Sequence, residues 1–446
     1  MKTINLKRGL DLKLKGAVQD STPRVVEVKR VAICPGDFPG FMPKADVKAG
    51  DTVSVGTPLM HDKNFPAIKL VSPVNGVVED VVRGERRKIE RVVVAVGADP
   101  LEMVPVGGFE DATRDAGKLR ELMQHFGLWA AMRQRPYDIV PPGDSIPRDI
   151  FVTTFDSAPL APQLMGGIDM ASMNAGIKAL SLLTPGKVYV GVKEGGPTVV
   201  DGAEVVMFNG SHPAGNAGVQ AANIAPVNKG EQIWTLDILT VARIGRLLLT
   251  GKLDSIVSVA VTGPEVKTPY IAMTLAGAEV APLLRGETDG STRHLRIISG
   301  NVLTGVKTTT QGFLHFPYRQ ITVIGEGDDV AEFMGWASPG MNKMSQSPTF
   351  LSRLFHHKPF SPDARLNGGR RAMILSGEYD KVLPMDILPE YLLKAIIARD
   401  IDKMEQLGIY EVAPEDFALC EYVDASKIEM QRIVREGLDY LRKELE

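Results

Sequence analysis

The residue types best placed to do chemistry in this chain lie in a glycine-rich loop, Gly210-Ser-His212-Pro-Ala-Gly215-Asn-Ala-Gly218. The loop follows a strand pattern and precedes a helical one, where backbone N–H groups can hold an anion. It satisfies the G-x-x-x-x-G half of a phosphate loop. Asn216 and Ala217, however, stand where Lys and Ser or Thr would meet the β/γ-phosphates and Mg²⁺. A nucleotide triphosphatase is therefore disfavoured. Gly210, His212, Gly215 and Gly218 remain weak candidates for a cofactor phosphate, beside the plainer reading of a tight turn that needs glycine for its dihedral angles. No G-x-G-x-x-G opens a helix with an acid about 20 residues on, so an autonomous NADH site is unsupported.

The other chemistry-bearing residues are scattered. His356 and His357 are adjacent and so point apart, with no third ligand at useful spacing, and His61, His125, His294 and His315 are isolated. Neither a metal site nor a catalytic triad is expected. The two cysteines, Cys34 and Cys420, form no C-x-x-C pair, which argues against zinc, a ligated iron–sulfur cluster or a disulfide framework. Cys420 reads as a packing residue. In Cys34-Pro-Gly-Asp-Phe38-Pro-Gly-Phe41, two aromatics and flexible glycines could line an apolar slot or form a plain turn.

Residues 340–371 carry six basic side chains, Lys343, Arg353, Lys358, Arg365, Arg370 and Arg371, against the single acid Asp363. Phe350, Leu351, Leu354, Phe355 and Phe360 are interleaved. Such a mixture suits an anionic membrane surface or a membrane-bound partner, and it suits equally a long loop anchored to the core by its aromatics. Elsewhere the charge balance is unremarkable, with a net charge of -3 over 446 residues, and gives no nucleic-acid signature. No run approaches the ~18–20 apolar residues of a membrane span, and the start lacks a signal-peptide core, which makes the cytoplasm the default compartment.

The elements that must position these residues fall into an α/β multi-domain pattern. Residues 1–110 read as a barrel-sandwich (lipoyl-like) β domain with a basic N-terminal extension, eight bases against three acids in the first 30 residues. Lys63, in its linking hairpin, lacks the Met-Lys-Met context of a lipoylated or biotinylated lysine. Residues 111–255 read as a linker helix, Leu119 to Arg133, followed by a Rossmann-like α/β domain. In that domain Asp237 is a candidate N-cap and Gly251 stands just past the end of a strong helix. Residues 256–330 read as a β-grasp unit, which the resemblance given below makes SLBB-like, 331–384 as the basic aromatic docking segment, and 385–446 as an acidic helical lobe, with 15 acids against eight bases.

Eight stretches, in order, carry a resemblance: INLKRGLDLKLKGA, SPVNGVVEDVVRGERRKIERVVV, GLWAAMRQRPYD, GKVYVGV, GSHPAGNAG, RIISGNVLTG, FMGWASPGMNK and the tail around FALCEYV. Together they resemble the family of A-type subunits of the Na⁺-translocating NADH:quinone reductases (Na⁺-NQR). That family is similar in layout to the C-type subunit of the Rnf complex and to the flavin-bearing subunit of complex I. The resemblance implies a peripheral subunit on the cytoplasmic face of the bacterial inner membrane, without a redox centre or catalytic residues of its own. NADH, flavins, iron centres, quinone and Na⁺ would be handled through other subunits. The B-type membrane subunit would be the chief partner, met through Phe350, Leu351, Arg353, Leu354, Phe355 and Lys358. Ubiquinone or menaquinone would lie near Cys34, Phe38 and Phe41. The rival expectation is a stand-alone soluble flavin- or NADH-binding electron-transfer protein that uses the loop at 210–218.

Overall fold

The computed structural model describes residues 1–103, 109–288, 294–328, 339–341, 343–344, 350–355, 358–374 and 376–445. The chain opens with two short exposed strands, β1 (Lys2–Asn5) and β2 (Pro23–Val25), which lie on the edges of two sheets built by later residues. Thus the N-terminal extension is no part of the barrel-sandwich that follows.

That module comprises β3 (Arg30–Ile33), β4 (Pro43–Ala45), β5 (Thr52–Val53), β6 (Pro58–Asp62), β7 (Lys69–Val71), β8 (Gly76–Arg83) and β9 (Ile89–Val96). They form two antiparallel sheets, β3-β9-β8-β5 and β4-β6-β7. Side chains on alternate positions of β9, such as Val92 and Val94, join Leu59, Met60, Ile68 and Leu70 in one core, as period-two alternation requires. Gly76 is needed where β8 meets β9, because a Cβ there would lie 2.0 Å from the Ala95 carbonyl oxygen. Lys63 is exposed in the loop after β6.

Next comes α1 (Ala116–His125), N-capped by Asp115. The helix is shorter than the expected Leu119–Arg133, because Gly127 takes φ +74 and the chain turns there. The apolar residues beyond are buried for another reason: Trp129 sits in a 3₁₀ turn and β10 (Arg133–Arg135) joins the next sheet. Then β11 (Ile150–Thr153), α2 (Met170–Leu180), β12 (Val188–Val192), β13 (Glu204–Asn209), α3 (Ala217–Ile224), β14 (Ile233–Asp237) and α4 (Ile238–Thr250) alternate. The sheet runs β1-β13-β12-β11-β14-β10, parallel except at β10, so the strand order reverses between β11 and β14. β11 is buried on both faces, as a central parallel strand must be. Asp237 caps α4 by accepting from Thr240 N at 2.6 Å, and Gly251 ends it at φ +68, both as the sequence indicates. Helices α2 and α4 touch backbone to backbone through Gly176 and Gly245, where a Cβ on Gly245 would lie 1.8 Å from the Ser172 carbonyl oxygen.

The β-grasp unit holds β15 (Ile256–Thr262), β16 (Tyr270–Leu275), the short α5 (Val280–Leu284), β17 (Leu295–Ser299), β18 (Val306–Thr308) and β19 (Gln320–Gly325), in the order β18-β17-β19-β15-β16-β2. The following segment is strapped down at Phe360, which exchanges backbone hydrogen bonds with Lys13 and Lys15, and at Ala364, which donates to Gly325. Four helices close the chain: α6 (Pro389–Ala398), α7 (Ile401–Gln406), α8 (Ala418–Val423) and α9 (Met430–Leu445). The apolar face of α9, Met430, Val434, Leu438 and Leu441, is buried at helical spacing. Its cluster extends to Phe151, Val219 and Ile233, so the lobe packs on the α/β layer.

Candidate functional site

A cavity of about 150 Å³ opens where the barrel-sandwich, the α/β layer and the β-grasp sheet meet. Cys34, Asp37 and Phe38 line it from the turn after β3, Thr240 and Arg243 from the start of α4, and His315, Phe316, Tyr318 and Arg319 from the loop before β19. The first turn is set locally: Pro35 begins a single 3₁₀ turn and Gly40 takes φ +83. Across the cavity Asp37 accepts from the His315 ring at 2.7 Å and from Phe316 N at 3.0 Å, which places the histidine proton on Nδ1. The Phe38 and Phe316 rings stack with centroids 5.1 Å apart. The Arg133 guanidinium lies 5.9 and 5.8 Å from those two centroids and donates to the Asp37 carbonyl at 2.7 Å. Burial and the Asp37 charge push the Cys34 thiol up to about 12, so it is held protonated. The cavity therefore offers a planar apolar slot with polar hydrogen on its rim.

Of the expected quinone-proximal residues, Cys34 and Phe38 line this cavity. Phe41 does not: it is buried in the core beneath. Cys34, Asp37 and His315 present ligand atoms within 4.8 Å of one another, a juxtaposition the sequence conceals because His315 looks isolated. Their donor set suits a soft divalent ion. Opposing a cation, Arg243 and Arg319 share the same cavity.

The glycine loop is packed against the chain itself. Gly215 N donates to Ser157 Oγ at 2.8 Å, Ser157 pairs with His212 Nδ1 at 3.0 Å, and the Gly215 carbonyl accepts from Thr153. His212 is buried, and burial lowers it to about 4. A Cβ on Gly210 would meet Leu6 at 2.9 Å, and one on Gly218 would lie 2.1 Å from Arg135 Nη2. The start of α3, where a phosphate would be expected, thus faces a guanidinium already engaged: Arg135 donates to Asp416 at 2.6 Å and to the Glu411 carbonyl at 2.7 Å. Cys420 is fully buried, and nearby Asp424 accepts from the Tyr379 hydroxyl at 2.7 Å and from Ser426 N and Ile428 N.

In the basic segment, Leu351 is 54% and Leu354 77% exposed. Lys358 is also exposed, and the Lys343 ammonium sits 5.4 Å from the centroid of the Phe350 ring. The side chains of Arg353 and Phe355, the pair His356–His357 and most of the motif at 333–343 lie outside the described residues. Among the described residues no helix is long and apolar enough to cross a membrane.

Sequence reasoning missed Arg243, Arg319, His315 and Phe316. They come from separate elements with no mutual spacing to read.

Three family models match in chain order: the NqrA N-terminal barrel-sandwich hybrid domain at residues 4–97, the NqrA second alpha/beta domain at 114–253 and the NQRA C-terminal (SLBB) domain at 258–310. Relatives match over nearly their whole length. The A-type subunit of the Na(+)-translocating NADH-quinone reductase from Rhodopirellula baltica is 37% identical over 98% of this chain and 98% of its own. That of Saccharophagus degradans is 38% identical over 99% of this chain and all of its own, and that of Vibrio anguillarum 36% identical over the same shares. By end-to-end similarity and by the order of its domains, this chain belongs to the NqrA family, the A-type subunits of the Na⁺-translocating NADH:quinone reductases.

Proposed function

We propose that the chain works as a peripheral subunit of a sodium-pumping NADH:quinone oxidoreductase, the assembly that couples electron transfer from NADH to quinone to Na⁺ export. The observation that carries this is collinear similarity to subunits of that name over 98–100% of their length. Catalysis belongs to the complex.

Within it, this chain contributes no redox centre; flavins, iron centres and the Na⁺ path lie on other subunits. Two features support that reading. Arg135 and Ser157 occupy the surroundings of the glycine loop from inside the chain, and Cys420 is a single buried thiol. The chain docks at the cytoplasmic face on the B-type membrane subunit through the segment at 343–371, a reading supported by the exposed Leu351 and Leu354 among basic residues. Quinone, ubiquinone or menaquinone, is met at the cavity of Cys34, Phe38 and Phe316. The stacked rings there suit a planar head group, and the Cys34 thiol, held protonated, lines the same slot.

The test is to tag the chain in its native host, solubilise the membranes gently and assay the purified material for NADH:quinone reduction with and without Na⁺. Sodium-stimulated activity from a multi-subunit preparation is expected. A single soluble chain carrying its own flavin spectrum would overturn the reading in favour of a stand-alone electron-transfer protein.

A further inference from the structure

Two guanidinium groups in the central cavity stand without a hydrogen-bond partner among the described residues. Arg243 reaches it from α4 and Arg319 from the residue before β19, and neither side chain makes a hydrogen bond or ion pair among the described residues. The Nε of Arg319 is a buried donor without an acceptor. Both residues are partly exposed, so the cost falls on that one Arg319 donor, which is withdrawn from water unpaired.

Among the described residues the nearby carboxylates accept from other donors and from neither of these guanidinium groups. Asp237 caps α4 through Thr240 N. Asp254 accepts from Arg246 at 3.1 Å and from Ile256 N at 3.2 Å. Asp37 is taken by His315 and Phe316 N. The two arginines also oppose one another: burial and the Arg243 charge hold the Arg319 guanidinium below its ordinary value, and burial lowers Arg243 as well. Asp237 and Asp254 act on both guanidinium groups through space, yet they accept from neither among the described residues, so two forks facing one cavity keep N–H donors to offer a ligand.

We propose that Arg243 and Arg319 form a binding site for a small oxyanion, a phosphate or carboxylate, at the junction of the three domains. The forks would take two oxygens of the ligand in bidentate fashion, and Thr240, on the same wall, offers a hydroxyl beside them. The inference goes beyond the quinone reading and stands without it, because the arginines ask for charge, whereas the Phe38–Phe316 wall asks for a flat apolar ring. With one residue on the α/β layer and one on the β-grasp unit, an occupied site would tie the two together.

The test uses the full chain without quinone. Inorganic phosphate is titrated by calorimetry and by thermal unfolding against chloride at matched ionic strength, for the wild type, Arg243→Gln, Arg319→Gln and the exposed control Arg114→Gln. Expected is saturable one-to-one binding with a rise in melting temperature, kept in the control and weakened at least tenfold in either cavity variant. In chloride alone the cavity variants should melt no lower than the wild type, since each removes one of two opposed charges; a merely structural arginine would lower it. Should a variant fail to fold, butanedione modification of Arg319 in the wild type, read by mass spectrometry, is expected to slow in phosphate. Malonate run in parallel names the ligand class by whichever anion binds tighter. Equal phosphate responses in all four proteins, or no saturable binding of either anion together with unprotected Arg319, would overturn the proposal.

Discussion

Buried His212 makes acid sensitivity a sharp quantity to measure. Its Nδ1 meets Ser157 Oγ at 3.0 Å, and Ser157 Oγ accepts from Gly215 N, a chain of hydrogen bonds that a neutral ring completes. Burial holds the folded-state value at about 4, against the ordinary value of 6.5 that the unfolded chain regains. Because the folded value is depressed, the stability this residue contributes is complete above about pH 6.5. It falls as the unfolded state takes up a proton, and the loss levels off below about pH 4. Each tenfold change in proton affinity is worth about 1.4 kcal/mol, so the full loss is about 3 kcal/mol, of which somewhat over 2 has gone by pH 4.5. The perturbation is His212→Asn, whose amide can replace Nδ1 in that chain but does not titrate. Urea unfolding of both proteins between pH 7.5 and 4.5 isolates the histidine in the difference between the two profiles, since the remaining carboxylates are common to both. The variant should lose about 2 kcal/mol less than the wild type over that interval. Parallel profiles would refute the reasoning and show that His212 is solvated or charged in the folded chain.

Three other outcomes are expected. Arg135→Gln leaves Asp416 buried without its partner and should cost about 3–5 kcal/mol in urea unfolding, while a loss below about 1 kcal/mol would mean the clamp at α3 is not a buried ion pair. Gly245→Ala forces α2 and α4 apart against the Ser172 carbonyl and should cost about 1–3 kcal/mol; no change in melting temperature would contradict the close helix contact. Replacing Leu351 and Leu354 with Asp should release the chain from salt-washed membranes about tenfold or more while its circular dichroism is unchanged, since each buried leucine is worth about 1.5–3 kcal/mol, and retention would remove the docking assignment.

Where one segment carries its own signal, the sequence is legible. Helix α4 shows its cap, its apolar period and its terminating glycine within fifteen residues, and α9 shows its buried face by its spacing. Leu119 to Arg133 misleads because Leu128, Trp129 and Met132 continue a helical period that Gly127 has already broken; they are buried by a turn and a strand packing into the same core. The glycine loop is visible as a loop, but its occupant is Arg135, brought there by β10 and held by a carboxylate near the far end of the chain. The central cavity is illegible for a similar reason. Arg243 reads as an ordinary polar residue on an amphipathic helix, and only the apposition of three domains encloses its head group beside Arg319.

The edge position of β1 also sets a timetable for synthesis. Its register places Asn5 opposite Asn209, so about 200 residues must be made after the first strand before its partner exists. At ~5–20 residues per second the ribosome holds that strand unpaired for roughly 10–40 s. Four residues, one of them Lys2 and another Asn5, give it little apolar surface to offer a wrong partner during the wait. Strand β1 is therefore seated only once β13 has been made, ahead of the β-grasp unit and the closing helices.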